Sequence, residues 1–227
     1  MLHSAAGQYR DLFPETKDSK KAPEAGAFFA EGSFTMFRIG QSIDIHPLQD
    51  GRRLVLGGVE IDSPKGLAGH SDADVLIHAV AESILGALAL GDLGAHFPDT
   101  DPKYKDISSM ILLEHVYILM KDNGYRLGNI DATVLAEKPK LAAYIEQMRA
   151  NLARCLHCEI SQVSIKATRG EKLGFVGRQE GMAALCVCLL ESQENAETRD
   201  REEAGLESKA QNSPEKAAES LPAKEQA

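Results

Sequence analysis

The stretch GHSDADVLIHAVAESILGALAL, residues 69–90, decides how the rest of the chain is interpreted. Its apolar residues recur at helical spacing, and they are Val75, Ile77, Val80, Ile84, Leu85 and Leu88, with His78 on the same pattern. This period predicts a helix over Asp72–Leu90 that buries one face. Ser71 is the predicted N-cap, and Asp74 three residues later completes a capping-box pattern.

Strands and further helices surround this helix. The predicted strands are Phe37–His46, Arg53–Leu56, Val59–Ile61, Leu127–Ala136, Gln162–Thr168 and Gly181–Leu190, and the other helices are Ile107–Asn123 and Pro139–Leu156. Gly57–Gly58 indicates a hairpin bend, Gly124 a left-handed helix end, and Pro139 the first turn of a helix. The alternation predicts one α/β (α+β) domain, a sheet covered by helices.

Composition excludes several classes of protein. The 227 residues are 43% hydrophobic and carry a formal net charge of -9, which disfavours nucleic-acid binding because that needs a basic surface. No apolar run approaches the ~20 residues of a membrane span. Acidic residues scattered through residues 1–35 do not fit a secretory signal or a plastid transit peptide. We therefore expect a cytoplasmic protein of bacterial type.

The charge pattern divides the chain into three parts. Residues 191–227 hold ten acidic and five basic side chains with few large hydrophobic ones, which predicts a disordered acidic tail over 192–227. Residues 1–35 show no sustained periodicity and are interpreted as a disordered leader. The compact domain is then predicted over 36–191.

A metal site is the first chemical hypothesis. Asp44 and His46 are two residues apart on a predicted strand, so their side chains share a face. Carboxylate and imidazole are natural ligands for zinc, and His78 on the helix is the candidate third ligand. Asp74 lies one turn before His78 on the same helix face and could hold the His78 ring in place by a hydrogen bond. From these residues alone, surface or core histidines remain an open alternative.

The four cysteines allow two interpretations. Cys155 and Cys158 form a C-x-x-C pattern, and Cys186 and Cys188 form a C-x-C pattern. These spacings are compatible with a structural zinc site or a redox dithiol. Cysteine also packs as a small hydrophobic residue, and the apolar run around Cys186 favours buried thiols.

Five blocks of sequence together resemble a known family. They are RIGQSIDIH (38–46), GHSDADVLIH (69–78), LGDLGAHFPDTDP (90–102), NIDATVLAEKPK (129–140) and KATRGEKLGFVGRQEG (166–181). In order and spacing they are similar to the 2-C-methyl-D-erythritol 2,4-cyclodiphosphate synthase family, over roughly Phe37 to Leu190. The segment that begins at Met36 also resembles the usual beginning of family members, so Met36 is a candidate native start.

The resemblance implies a reaction in non-mevalonate isoprenoid precursor synthesis. The substrate would be 4-diphosphocytidyl-2-C-methyl-D-erythritol 2-phosphate, whose 2-phosphate attacks the β phosphorus and releases CMP. The family fold implies a mixed sheet with helices on one face and a homotrimer with active sites between subunits. Such phosphoryl transfer depends mainly on positioning and charge neutralisation, and two cations can bridge the oxygens.

The resemblance also implies roles for individual residues. Zn²⁺ would be held by Asp44, His46 and His78, and a second ion, Mg²⁺ or Mn²⁺, by Glu171 with the diphosphate. Catalytic roles would fall to His70, Thr168 and Arg169. Substrate contacts would come from Asp44, His46, His70, Ser71, Asp92, Leu93, Gly94, Phe97, Pro98, Asp99, Thr100, Asp101, Ala136, Lys140, Leu141, Ala142, Thr168, Arg169, Gly170, Glu171, Phe175 and Arg178. Within that set, Ala136 through Ala142 would line the cytidine pocket, and Arg178 with Glu180 would face the centre of the trimer.

Two departures from the family pattern are visible. Arg169 stands where the family usually has a hydroxyl residue, and it either neutralises phosphate oxygens or points into solvent. Gln41-Ser42 stands where the opening strand often has His-Gly. Two rival functions therefore stay open: a metal-dependent phosphohydrolase that uses the same ligands, and a non-catalytic trimer that binds a nucleotide or an isoprenoid.

Overall fold

The computed structural model describes residues 37–193. The predicted leader, Met36 and residues 194–227 of the predicted tail lie outside this range. None of the described helices combines the length and apolar composition needed to cross a bilayer.

Seven strands and five helices make up the described chain. The strands are β1 (Phe37–Asp50), β2 (Leu54–Leu56), β3 (Val59–Ile61), β4 (Lys65–Leu67), β5 (Tyr125–Leu135), β6 (Val163–Thr168) and β7 (Gly181–Ser192). The helices are α1 (Val75–Ala87), α2 (Leu93–His96), α3 (Ser109–Asp122), α4 (Ile145–Cys155) and α5 (Gly174–Gly177), with short 3-10 turns at Pro102–Tyr104 and Ile160–Gln162.

The main sheet has the order β4-β1-β7-β5-β6. Strand β7 pairs antiparallel with both β1 and β5, whereas β5 and β6 run parallel. The mixed sheet predicted from the sequence is therefore confirmed. The hairpin is confirmed as well: β2 pairs with β3, and Gly57 and Gly58 turn the chain with φ of 59° and 67°, values that residues other than glycine rarely adopt.

Helix α1 packs against β1 and β7 and forms the centre of the core. Ile77, Ile84 and Leu85 are fully buried, as the helical period predicts, and Leu76 is buried as well. Gly40 on β1 makes the close approach of this helix feasible, because a Cβ there would lie 1.8 Å from the Ser83 carbonyl oxygen. The packing brings His78, in the first turn of α1, next to Asp44 on β1.

Within the described part of the chain, residues 37–193, nothing covers the opposite face of the sheet. Strand β1 turns Phe37, Ile39, Ile43 and Ile45 to this face, and β7 adds Leu185 and Val187; all six side chains are between 40% and 73% exposed. Register explains the arrangement, since Ile39 lies opposite Leu189 and Ile43 opposite Leu185. We call these six residues the open apolar face.

Two predicted helix starts are wrong. Helix α1 is capped by Asp74 and not by Ser71, because the Asp74 carboxylate accepts from the Ile77 amide at 3.1 Å. It also accepts from the amides of Gly57 and Gly58. Pro139 does not begin α4, which starts at Ile145; a loop over residues 136–144 comes first. The contacts of Asp74 with Gly57 and Gly58 join distant segments and are therefore not visible in local sequence.

Candidate metal centre and nucleotide loops

Asp44, His46 and His78 meet at the junction of β1 and α1, and we call them the metal triad. The two strand residues point toward the helix, as the strand period predicts. Asp44 Oδ2 lies 3.0 Å from His46 Nε2 and 3.0 Å from His78 Nδ1. The two ring nitrogens are also 3.0 Å apart. Three potential ligand atoms therefore form one small triangle.

The far side of the His46 ring fixes its orientation. His46 Nδ1 lies 2.9 Å from the carbonyl oxygen of Ala68. A carbonyl oxygen can only accept, so Nδ1 carries the proton that is donated to it. In the neutral ring Nε2 then keeps its lone pair, and that lone pair points into the triangle.

The far side of the His78 ring is held by hydroxyl groups. His78 Nε2 is 2.9 Å from Ser109 Oγ and 3.1 Å from Ser71 Oγ. Ser109 Oγ donates in turn to the carboxylate of Asp72, which also accepts from the Ser109 amide. With its own proton committed to Asp72, Ser109 Oγ accepts from Nε2–H. His78 Nδ1 is then left unprotonated and faces the triangle.

The metal triad attracts positive charge. Burial alone would raise the pKa of Asp44, but hydrogen bonds and charge interactions with His46 and His78 outweigh it and hold that pKa well below its ordinary value. Burial alone would lower the pKa of His46, but Asp44 reverses this and raises it. Three acceptor atoms at 3.0 Å repel one another unless a proton or a cation lies between them.

The metal triad fits a divalent cation. Zinc binds imidazole nitrogen and carboxylate oxygen at about 2.0–2.2 Å, and its tetrahedral ligand atoms are then about 3.3 Å apart. The observed separations of 3.0 Å are close to that value. Among residues 37–193, the triad is the one group of three or more His, Cys, Asp or Glu side chains arranged for a metal.

A second functional region lies where the parallel strands end. Leu135 and Thr168 are paired at the ends of β5 and β6, and the Ala136 amide donates to the Thr168 carbonyl at 3.0 Å. Two loops leave the sheet side by side here: the β5 loop (136–144) and the β6 loop (169–173). Ligands commonly bind beyond the carboxyl ends of parallel strands, so the two loops are the second candidate site. We call them the nucleotide loops, after the cytidine nucleotide that the family resemblance implies.

The nucleotide loops border a cavity of about 420 Å³. Its lining includes Glu137, Lys138, Pro139, Lys140 and Arg169, together with residues 62–65 before and at the start of β4. Arg169 is not free in solvent, because its Nη2 donates to Glu137 Oε1 at 2.9 Å. None of the metal triad lines this cavity.

A family model settles where the chain belongs. The YgbB family model matches residues 37–191, which is more than half of the chain and nearly all of its described part. The chain belongs to the YgbB family.

Relatives of this YgbB chain carry an enzyme name. The 2-C-methyl-D-erythritol 2,4-cyclodiphosphate synthase of Chlorobium luteolum is 60% identical over 155 residues, 68% of this chain and 99% of the relative. The structure of bifunctional IspDF from Campylobacter jejuni is similar with a TM-score of 0.68 and 42% identity over 70% of this chain and 43% of that one. The Plasmodium falciparum IspF–CDP complex gives 0.62 and 33%, over 71% and 99%.

The remaining predicted residues of this YgbB domain lie in different settings. His70 is exposed between β4 and α1. Asp92 caps α2 by accepting from the Ala95 amide; Leu93 and Gly94 follow it in that helix. Phe97 is buried and packs edge-on against Tyr104 and His115. Pro98, Asp99, Thr100 and the partly buried Asp101 continue the chain, and Asp101 caps the 3-10 turn that follows.

The predicted diphosphate residues lie in and around the β6 loop. Thr168 ends β6, and Gly170 and Glu171 follow Arg169 in the loop. Glu171 is exposed, with φ of 49°. Phe175 is half-buried in α5, and Arg178 forms a bidentate pair with Glu180 at 2.8 and 3.0 Å. In the β5 loop Ala136 and Leu141 are buried, whereas Lys140 and Ala142 are exposed.

One predicted contact of the metal triad is wrong. Asp74 does not hold the His78 ring, since both of its carboxylate oxygens accept from backbone amides. The Ser71 hydroxyl is directed at His78 Nε2 and accepts from the Ala73 amide. Its expected phosphate contact stays a prediction. Sequence reasoning missed Ser109 and Asp72, because they are 37 residues apart and no local pattern joins them.

The cysteines are free thiols. Cys186 and Cys188 are 1% and 0% exposed, and burial raises the pKa of Cys186 to about 12. Burial also raises the pKa of Cys155 to about 12 and that of Cys158 to about 11. Such thiols remain protonated at neutral pH and pack as apolar groups.

Proposed function

We propose that this chain is a 2-C-methyl-D-erythritol 2,4-cyclodiphosphate synthase, a cyclising phosphorus–oxygen lyase of non-mevalonate isoprenoid precursor synthesis. The observation that carries the proposal is the metal triad, three converging ligand atoms in a chain that is 60% identical to a named synthase along that relative's length. The reaction converts 4-diphosphocytidyl-2-C-methyl-D-erythritol 2-phosphate into the 2,4-cyclodiphosphate and CMP.

Zinc is the proposed ion at Asp44, His46 and His78. When bound, it supplies positive charge that stabilises phosphate oxygens during the displacement. The protein's own contribution is the fixed direction of both rings, which Ala68 and Ser109 hold from behind. This arrangement needs no reorganisation when the substrate arrives. His70, exposed just before α1, is proposed to contact the migrating 2-phosphate together with Ser71.

The nucleotide loops are proposed to bind the CDP part. Support comes from the P. falciparum relative in complex with CDP and from the cavity between the loops. Ala136, Lys140, Leu141 and Ala142 would line the cytidine pocket. Thr168, Arg169, Gly170 and Glu171 would serve the diphosphate, Glu171 through Mg²⁺ or Mn²⁺. Asp92, Leu93, Gly94, Phe97, Pro98, Asp99, Thr100, Asp101, Phe175 and Arg178 would border the methylerythritol part.

No general base is required to create the nucleophile. The attacking 2-phosphate is already anionic at neutral pH, so the enzyme must mainly fold the substrate back on itself and neutralise charge. Attack and departure then proceed in line at the β phosphorus. The protein's role is therefore placement: one site holds the reacting phosphates, the other holds the CMP leaving group.

A homotrimer is proposed to complete each active site. Two observations support it. The metal triad does not line the cavity between the nucleotide loops of the same chain. The open apolar face presents six large hydrophobic side chains to solvent, and exposed apolar patches of this kind mark protein interfaces. A neighbouring chain would cover that face and bring its nucleotide loops to the triad. The cytoplasmic location expected from the sequence stays a prediction.

Phosphorus NMR of one reaction separates this function from its rivals. The full chain with its metal ions is incubated with the CDP-methylerythritol 2-phosphate substrate. Cyclic diphosphate together with CMP is the expected result. Inorganic phosphate would instead identify a metal-dependent phosphohydrolase. No turnover, with binding of the substrate retained, would identify a non-catalytic nucleotide- or isoprenoid-binding protein.

A further inference from the structure

Strand pairing at the ends of β5 and β6 brings Glu137 close to Arg169. Leu135 of β5 pairs with Thr168 of β6 in the parallel ladder, and Ala136 bonds the Thr168 carbonyl just beyond it. Arg169 directly follows Thr168 and Glu137 directly follows Ala136, so the two residues leave the sheet close together. Glu137 Oε1 accepts from Arg169 Nη2 at 2.9 Å, so one ion pair joins the two nucleotide loops.

The two members of this pair differ in exposure. The Glu137 side chain is 6% exposed, whereas that of Arg169 is 52% exposed. Arg169 lowers the pKa of Glu137, and the backbone amides of Lys172 and Gly170 add to this effect. Among residues 37–193, Glu137 Oε2 is buried and finds no hydrogen-bond partner. A buried carboxylate of this kind depends on the guanidinium for compensation, and it restricts where that guanidinium can lie.

The backbone of Arg169 is equally constrained. The β6 loop after it is a tight turn in which Glu171 and Lys172 adopt φ of 49° and 66°. The Leu173 amide bonds the Gly170 carbonyl at 2.8 Å. Both ends of the Arg169 side chain are therefore fixed: the backbone by the turn, and the guanidinium by Glu137. Arg169 also lines the 420 Å³ cavity, and about half of its side chain is exposed.

We propose that Glu137 is a positioning residue that holds the Arg169 guanidinium at the cavity wall, where Arg169 binds the diphosphate of a cytidine nucleotide. This proposal rests on the proposed function, since it takes the ligand to contain CDP. Arg169 then donates hydrogen bonds to the phosphates, and the orientation of its guanidinium depends on a carboxylate that does not itself contact the ligand. An arginine fixed in this way loses less side-chain entropy on binding than a free one.

The test is a double-mutant cycle on CDP binding. Wild-type protein, Glu137→Gln, Arg169→Gln and the double variant are titrated with CDP and Mg²⁺ by calorimetry, and with cytidine by NMR. Each single variant is expected to weaken CDP binding roughly tenfold, the usual cost of one charge-assisted contact. The double variant should be no weaker than Arg169→Gln alone, because Glu137 acts through Arg169. Cytidine binding should stay within about twofold in all four proteins.

Three results would overturn the proposal. Unchanged CDP affinity in Glu137→Gln would show that the ion pair does not aim the guanidinium. Effects that multiply in the double variant would show two independent contributions. Equal losses for cytidine and CDP would show that Glu137 only shapes the β5 loop around the base, which is a structural role.

Matched variants control for charge and folding. Glu146→Gln removes the carboxylate of another Glu–Arg pair, Glu146 with Arg149 on α4, at 2.8 Å, and should leave CDP binding unchanged. Arg169→Lys keeps the charge but loses the planar fork, and should fall between wild type and Arg169→Gln.

The outcome is separable from that of the proposed function. If wild type binds CDP but forms no cyclic product, the synthase proposal fails and the cycle still decides the role of Glu137. If wild type does not bind CDP, the positioning proposal fails directly, whatever the product assay shows.

Discussion

The metal triad and the nucleotide loops are built in opposite ways. The triad joins a strand to a helix across the core, and every ring nitrogen that faces away from it is bonded within the same chain. The nucleotide loops stand at the end of a parallel strand pair, and an ion pair between Glu137 and Arg169 joins their side chains. The difference indicates a division of labour: the triad is preorganised for charge, whereas the loops are open to receive a ligand.

Removing a triad ligand should have the largest effect. His78→Ala takes away one of three ligands and leaves two, too few to retain a divalent ion. Turnover should fall at least about a thousandfold, because a bound metal stabilises transition-state charge by several kcal/mol. Elemental analysis should show the metal lost. His157→Ala is the control, since that exposed ring stacks on Tyr117 elsewhere. Near wild-type metal in His78→Ala would refute the ligand assignment.

Disrupting the open apolar face should separate the two regions from each other. Ile39→Asp places a charge where the side chain is 73% exposed in the single chain and would be buried between subunits. The mass measured by light scattering should drop from trimer to monomer. Turnover should fall about a hundredfold as the two half-sites part, with metal content unchanged. Ile118→Asp on α3, where the side chain is 47% exposed, is the control and should change neither the mass nor the turnover. An Ile39→Asp protein that is monomeric but fully active would contradict the shared site.

A smaller loss should follow when the support behind His78 is removed. Ser109→Ala deletes the hydroxyl that links His78 Nε2 to Asp72. Metal affinity should weaken roughly 10–100-fold, the typical cost of losing such a partner. Competition with a chelator measures it. Ser83→Ala removes another buried hydroxyl, bonded to Val80 and Cys186, and should keep wild-type affinity. Equal losses in both would reduce the effect to general destabilisation.

The smallest expected effect is a pH dependence of the metal-free protein. The lowered pKa of Asp44 contributes stability above the unfolded value of 3.8 that is lost as pH falls through the folded pKa. The raised pKa of His46 contributes stability that is complete below 6.5 and lost as pH rises through the folded pKa. Both contributions are present between these values.

Melting curves of the metal-free wild type and Asp44→Asn should therefore differ more at about pH 5 than at about pH 8. Added zinc should instead stabilise the wild type more at about pH 8 than at about pH 5, because metal binding needs unprotonated ligands and strengthens as pH rises. A difference between the two proteins that is constant over this range would mean that Asp44 and His46 are not coupled.

Local sequence pattern predicted those features that depend on one element at a time. Strand periodicity put Asp44 and His46 on one face, and the helical period placed His78 on the buried helix. The contacts that support the triad escaped prediction because they join distant segments. Ser109 contacts His78, which is 31 residues away in the sequence. Asp74, and not Ser71, is the N-cap, and its carboxylate also accepts from the amides of Gly57 and Gly58.

The ion pair between the loops escaped prediction for a related reason. From the sequence alone, Arg169 is either a phosphate ligand or a solvent-exposed side chain. Its partner Glu137 is 32 residues away, and only the parallel register of β5 and β6 brings the two together. Register is a property of paired strands, and a single sequence does not specify it locally.

The most direct test of the account is zinc K-edge X-ray absorption on the zinc-loaded full chain. The account predicts one zinc per chain, with two imidazole nitrogens at about 2.0–2.1 Å and a carboxylate oxygen at about 2.0–2.2 Å. A sulfur shell at about 2.3 Å, or no retained zinc, would contradict the assignment of the site to Asp44, His46 and His78.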